Sequence, residues 1–271
     1  MKNWIATSFG FALAVACAGG AWGADRFQGY LTAGEFDVTP ILEPAPRPGD
    51  PRYETDREIF RATRALVGTP RWALATNDAK LDTASLLSDY SCSVGVALTP
   101  QNAPNLVRVL ERASAATAEQ TDHAKAVYQR RRPYTIDEGQ ICQARSELYD
   151  TKAHRVSYDY PSGHTTRGWT YALILASLVP DHAQQILERG RAYGDSRFIC
   201  GAHNESAVEA GMLSATATMA AIESKPAYQV DLARARAEMA ALRSDGAPPL
   251  GCTAEANLVR QRVMPRLDSA R

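Results

Sequence analysis

From Arg52 to Arg243 the chain is a succession of segments whose apolar residues recur at helical spacing, and period-two alternation is nearly absent. Residues three or four apart share one face of a helix, so such a chain must bury its apolar stripes helix against helix rather than within a sheet. Arg52 to Gly68 carries Ile59, Ala62, Leu66 and Val67, with Gly68 as a stop. Asp78 to Ser88 is a second segment. Pro104 to Arg131 is long and alanine-rich, with Pro133 as its breaker. Thr165 to Val179 is apolar enough to predict burial on all sides. Asp181 to Phe198 follows Pro180, His203 to Ile222 is dense in Ala, Met and Leu, and Pro226 to Arg243 closes the series. Residues 24–51 hold Pro40, Pro44, Pro46, Pro48 and Pro51 and predict an extended arm or lid. The tail after Gly246 reads as a loosely packed appendage. With no internal repeat and no linker, one all-α domain is the economical reading. The expected division is a signal peptide at 1–23, an arm at 24–51, an all-helical domain at 52–245 and a tail at 246–271.

Composition excludes several classes of function. The 271 residues hold 30 basic and 30 acidic side chains, for a formal net charge of zero, and 45% are hydrophobic. A neutral globular chain is no coat for nucleic acid and no electrostatic ligand of anionic lipid. No internal apolar run approaches the ~18 residues of a membrane span. The N-terminus reads as an export signal: Lys2, then the apolar stretch from Ile5 to Ala18, then Ala21-Trp22-Gly23 before a cut at Ala24. Cys17 leaves with that signal. Cys92, Cys142, Cys200 and Cys252 remain, an even number suited to an oxidising compartment. Three pairings are open to them. A periplasmic location follows as the expectation.

Three clusters carry chemistry. Lys125 is followed, after six residues, by Arg132-Pro133. Seven positions are close to two helical turns, which predicts one shared helix face. Pro161-Ser162-Gly163-His164 stands before the apolar helix that begins near Thr165, where unpaired N–H groups and the dipole favour an anion. Gly163 lets that anion approach the backbone. Ser196-Arg197 is followed, after five residues, by His203, with Gly201 turning the chain between them. Three cations, a helix N-terminus and two imidazoles form an inventory for binding a phosphate dianion and transferring its phosphoryl group. Other phosphatase chemistries fail by absence, since the chain has no C-x5-R, no D-x-D and no R-H-G. His123, His154 and His182 lie outside the clusters and read as exposed or capping residues.

K-x6-RP, PSGH and SR-x5-H together resemble the three motifs of the bacterial class A non-specific acid phosphatases, within the phosphatidic acid phosphatase type 2 and vanadium haloperoxidase superfamily. The resemblance implies a single-domain helical bundle, often dimeric, that hydrolyses phosphomonoesters in the periplasm without metal or other cofactor. It implies His203 as the nucleophile that forms a phosphohistidine. His164 is implied as the acid for the leaving alcohol and then the base for water. Lys125, Arg132, Ser162, Gly163 and Arg197 are implied as holders of the phosphate oxygens. The expected partners are a small phosphomonoester and inorganic phosphate, with vanadate as an inhibitor, and no nucleic acid or membrane. Tyr134 and Tyr160, each beside a motif, are candidates to stack on an aromatic leaving group.

One position departs from the pattern. The class A motif continues from the histidine with three residues and then Asp, whose carboxylate orients the ring. Here Ala207 stands at that place. Glu209, or Glu205, is the expected surrogate, with a backbone carbonyl or water as the alternative. A phosphate-binding protein with weak turnover is the reading that Ala207 motivates, and a vanadate-dependent haloperoxidase is a further rival.

Overall fold

In the computed structural model, which describes residues 27–265, helices dominate from Pro51 to Arg260. The expected signal peptide lies outside the described residues. The helices are α1 (Pro51–Thr63), α2 (Pro70–Asn77), α3 (Thr83–Val94), α4 (Pro104–Tyr128), α5 (Gly163–Leu178), α6 (Ala183–Ile199), α7 (Glu205–Glu223), α8 (Pro226–Asp245) and α9 (Cys252–Arg260). Proline opens α1, α2, α4 and α8, where its missing N–H would be unpaired in any case. Thr69, Asp82 and Ser162 cap α2, α3 and α5 through their side-chain oxygens. A two-residue antiparallel ladder, β1 (Tyr149–Asp150) with β2 (Arg155–Val156), interrupts the long segment between α4 and α5.

α5 lies at the centre, packed against α4, α6 and α7, and α8 lies along α4. Ile174, Leu175 and Tyr171 of α5 are buried with Leu106 and Leu110 of α4 and Tyr193 of α6. Ser177 is exposed, so the burial of α5 is extensive rather than complete. α5 and α6 are consecutive and come close enough that a Cβ on Gly168 would stand 2.3 Å from the Tyr193 ring. No side chain other than hydrogen fits there. This tight return sets the start of α5, with Gly163 and His164, beside the end of α6, with Arg197.

Three sequence expectations change. α2 was not anticipated, although Thr69-Pro70 after Gly68 is a cap-plus-proline start. The arm at 27–50 has no helix, as expected, but it is a strap. Val38 and Leu42 are buried, the Val38 N–H donates to Gln120 Oε1 at 3.0 Å, and Tyr128 donates to the Thr39 carbonyl at 3.0 Å. The tail is not loose: α9 is joined to α3 by the Cys92–Cys252 disulfide, and Glu255 accepts from Arg189 at 3.1 Å. The second disulfide joins Cys142 to Cys200. Among the described residues no helix is long and apolar enough to cross a membrane.

Candidate active site

His203 lies in the turn between α6 and α7 and is 1% exposed. The turn exists because Gly201 takes φ +77°, and its N-terminal side is held by Arg64, which donates to the Phe198 and Ile199 carbonyls at 3.1 and 2.6 Å. That places a cation at the negative end of α6. His203 Nδ1 is 2.8 Å from the Asp159 carbonyl oxygen and 2.9 Å from Asp159 Oδ1, and both can only accept from it. His203 Nε2 is 2.9 Å from Arg132 Nη1, which can only donate. The ring is therefore Nδ1-protonated, and its Nε2 lone pair faces a cation. Burial first, then Arg132, Lys125 and Arg197, holds its pKa well below the ordinary histidine value, so the ring is neutral.

The three cations converge on this ring from three segments. Arg132 is fixed by the Ser157 carbonyl and hydroxyl and by the Ala202 carbonyl, each at 2.8 Å. Arg197 is fully buried; its Nη2 donates to Gln143 Oε1 at 2.6 Å, while Nε and Nη1 have no partner. Buried guanidinium donors left free mark a place for an anion. Lys125 Nζ lies 3.7 Å from where a Cβ on Gly163 would be, and burial followed by Arg132 takes its pKa down to about 8. Ser162 caps α5: its Oγ accepts from the Thr165 N–H at 3.3 Å and the Thr165 hydroxyl at 2.9 Å, leaving its own hydrogen free to donate.

His164 sits in the first turn of α5, with Nε2 3.1 Å from the Ala79 carbonyl. The carbonyl fixes a proton on Nε2 and leaves the lone pair on Nδ1. Burial, then Arg197 and His203, pushes its pKa well below the ordinary value. Lys125, Gly163 and His164 line a cavity of about 200 Å³ with Thr121, Thr166 and Asp122. It shares Ser114, Ala118, Asp122 and Arg167 with an outer groove of about 780 Å³. The segment between α2 and α3 braces both motifs at once. Asp78 accepts from Ser196 at 2.6 Å and from Arg189 at 2.7 Å, while Ala79 holds His164.

The PAP2 superfamily model matches residues 111–229, which span Lys125, the α5 start and His203. The acid phosphatase of Zymomonas mobilis is 40% identical over 216 residues, covering 79% of this chain and 80% of that one. The non-specific acid phosphatase of Salmonella typhimurium is 34% identical, over 73% of this chain and 78% of its own. That of Providencia stuartii is 31% identical, over 77% and 83%. The chain belongs to the PAP2 superfamily. Within that PAP2 frame the seven motif residues Lys125, Arg132, Ser162, Gly163, His164, Arg197 and His203 lie around one buried site.

Other sequence expectations are corrected. Lys125 and Arg132 do not share a helix face. α4 ends at Tyr128, Gln129 takes φ 49°, and Arg132 follows on non-helical chain. The cause is tertiary: Arg130 is drawn to Asp56 at 2.7 Å and Ser206 at 2.6 Å. Glu209 and Glu205 do not reach His203, because both carboxylates pair with Arg52 of α1. Glu209 lines a separate cavity of about 660 Å³ with Pro44 and Leu213. The carboxylate at the ring is Asp159, and the residue that steadies Arg197 is Gln143. Neither was singled out from the sequence, although Asp159 stands two residues before Pro161 and is the nearest carboxylate to that motif. Tyr160 is buried edge-on against Tyr128 and donates to the Glu43 carbonyl at 2.8 Å, so it packs rather than lines the site, whereas Tyr134 is buried under Arg145 with its hydroxyl unpartnered.

Proposed function

We propose that this chain is an acid phosphatase that hydrolyses small phosphomonoesters without a metal, through a phosphohistidine at His203. The observation that carries this reading is the neutral, Nδ1-anchored His203, whose Nε2 faces Arg132, with Lys125 and an Arg197 that keeps two unpaired donors close enough to act on the ring. Lys125, Arg132 and Arg197 hold the non-bridging oxygens, with the Ser162 hydroxyl and the Gly163 N–H. Nε2 attacks phosphorus, the N–P bond forms and the P–O bond to the leaving group breaks. His164 Nδ1 gives its proton to the departing oxygen. A water then loses a proton to His164, its oxygen bonds phosphorus, and the N–P bond breaks. The charge that a metal would supply comes from side chains, and this cationic pocket repels a divalent ion.

Both imidazoles are held below their ordinary pKa, which suits His203 but opposes a protonated His164. The bound dianion restores the balance, because its negative charge favours the imidazolium. Ala207 motivates a binding protein without turnover, and the Asp159 carboxylate at 2.9 Å from His203 Nδ1 supports turnover instead. Two disulfides support an oxidising, periplasmic setting. A dimer and inhibition by vanadate belong to the same proposal.

The test is hydrolysis of p-nitrophenyl phosphate at pH 6 in EDTA, with His203→Ala alongside. Turnover that survives EDTA and is lost in the variant supports the reading. Turnover abolished by EDTA and restored by a divalent metal overturns it. Bromide oxidation with added vanadate, in the absence of phosphatase turnover, would favour the haloperoxidase.

A further inference from the structure

We propose that Asp159 is the positioning residue for His203, and that in this chain the orienting carboxylate has moved from the first turn of α7 to the segment before Pro161, so that positions 159 and 207 are reciprocal. The inference rests on His203 as the nucleophile. The motif that this sequence resembles carries Asp at the place of Ala207. Ala207 is fully buried, in one apolar cluster with Tyr160, the neighbour of Asp159. The two segments also touch through their backbones: the Ser162 N–H donates to the Ala207 carbonyl at 2.8 Å. A carboxylate from either segment would enter the same dry region beside the ring.

The contacts of Asp159 fit this role. Its Oδ1 faces His203 Nδ1 at 2.9 Å and also accepts the Asn204 N–H at 3.2 Å, and its Oδ2 accepts from Asn204 Nδ2 at 2.8 Å. Asn204, the cap position of α7, thus spends its side chain on Asp159 and makes no cap hydrogen bond. Arg130 Nη1 lies 3.7 Å from Oδ2 and anchors the carboxylate from behind. The Asp159 N–H in turn donates to the Arg130 carbonyl at 2.9 Å. The whole carboxylate is enclosed, with one oxygen aimed at the ring.

Reciprocity makes a prediction that a merely structural Asp159 does not. Two carboxylates in one dry region repel and are poorly solvated, so Ala207→Asp alone should lower activity rather than improve it. Asp159→Ala alone should also lower it, and the two together should rescue each other. The Asp159 main-chain oxygen at 2.8 Å stays on Nδ1 in every variant, so part of the orientation survives. The expected loss in kcat is therefore about 10²-fold, well short of the ~10⁴ seen where an orienting carboxylate is the sole partner. KM should change less than about threefold, because the phosphate-holding groups are untouched.

The experiment measures kcat and KM of the wild type, Asp159→Ala, Ala207→Asp and the double variant with p-nitrophenyl phosphate. Base-quenched labelling of His203 runs in parallel. Asp159→Asn, which keeps the shape and the acceptor for Asn204, replaces Asp159→Ala if the latter does not melt cooperatively. Recovery of kcat in the double variant to within about tenfold of wild type, with both single variants slow, is the expected result. A double variant no faster than Asp159→Ala, or an Asp159→Ala within threefold of wild type, overturns the proposal. A wild type that turns over with no label on His203 overturns the nucleophile instead, so the two failures are distinguishable.

Discussion

Lys125 offers a titration of the site by a single charge. Its ammonium has no hydrogen-bond partner among the described residues, and its pKa stands at about 8 through burial and the neighbouring Arg132. A lysine loses its charge as pH rises, so a site that needs the ammonium binds a phosphate dianion less well above that value. If only the charged form binds, the apparent Kd scales as one plus the ratio of neutral to charged lysine. That factor is about 1.1 at pH 7 and about 11 at pH 9 for a pKa of about 8. The expected weakening is thus about tenfold, or ~1.4 kcal/mol. The substrate does not confound it, since a phosphomonoester with a second pKa of ~6 is a dianion throughout, and Arg197, which burial takes down to about 10, is still mostly charged at pH 9.

The assay is calorimetric binding of p-nitrophenyl phosphate to His203→Ala, which cannot form the phosphoenzyme. Two buffers of different ionisation enthalpy count the protons taken up. At pH 9 about 0.9 proton should enter with each ligand on account of Lys125, against about 0.1 at pH 7. The same protein carrying Lys125→Gln should bind weakly, with little dependence on pH, and should lack the extra proton. The difference between the two proteins isolates Lys125 from His164, which also gains a proton. A Kd flat from pH 7 to pH 9, with no difference in proton uptake, would refute the reasoning.

The remaining predictions concern the groups around that charge. kcat/KM should already be falling below pH 6.5 and go on falling through neutrality, because His164 must be protonated and the free enzyme holds its pKa well below the ordinary value. The alkaline limb of kcat should lie at higher pH than that of kcat/KM, since the bound dianion raises His164; a kcat/KM still climbing at pH 9 rejects the assignment. Replacing Cys142 and Cys200 by Ser opens a loop with a sequence separation of 58, worth ~4 kcal/mol on chain-entropy grounds. Calorimetry should show a Tm about 10 °C lower, and KM should rise because Gln143, beside Cys142, steadies Arg197. Glu209→Ala should leave kcat within about twofold in steady-state kinetics, since Glu209 pairs with Arg52 and not with His203.

The sequence carried the helices and the motifs because both are local. The apolar spacing of α5 and α7 and the proline starts of α4 and α8 are written in neighbouring residues. So is the Gly201 turn that separates Arg197 from His203. What escaped was set through space. Pro133 looked like the end of α4, yet the helix stops at Tyr128 because Arg130 turns to Asp56, 74 positions away. The tail after Gly246 looked unattached, yet Cys252 meets Cys92 across 160 positions. Asp159 reaches His203 over 44 positions. The carboxylates nearest in sequence after the histidine are Glu205 and Glu209, and both pair with Arg52 of another helix.

Residues one or two positions apart in this fold divide scaffold from chemistry, and that division places the charged groups of the site. Ser196 bonds Asp78 in the scaffold while Arg197 keeps two donors free. Asp78 receives the buried Arg189 while the next carbonyl, of Ala79, fixes His164. Cys200 is bonded to Cys142 while Gln143 holds Arg197. Arg130 anchors Asp159 from behind while Arg132 faces the ring that Asp159 orients. In each pair one residue's contact fixes the backbone, so the group one or two positions on is aimed without having to find its own place. Dipoles and charges aimed beforehand need no reorganisation as negative charge is transferred, which is where electrostatic catalysis is strongest. An orienting carboxylate on the Asp159 segment rather than on α7 keeps this arrangement, because Arg130 holds that segment through its carbonyl at 2.9 Å and its guanidinium at 3.7 Å.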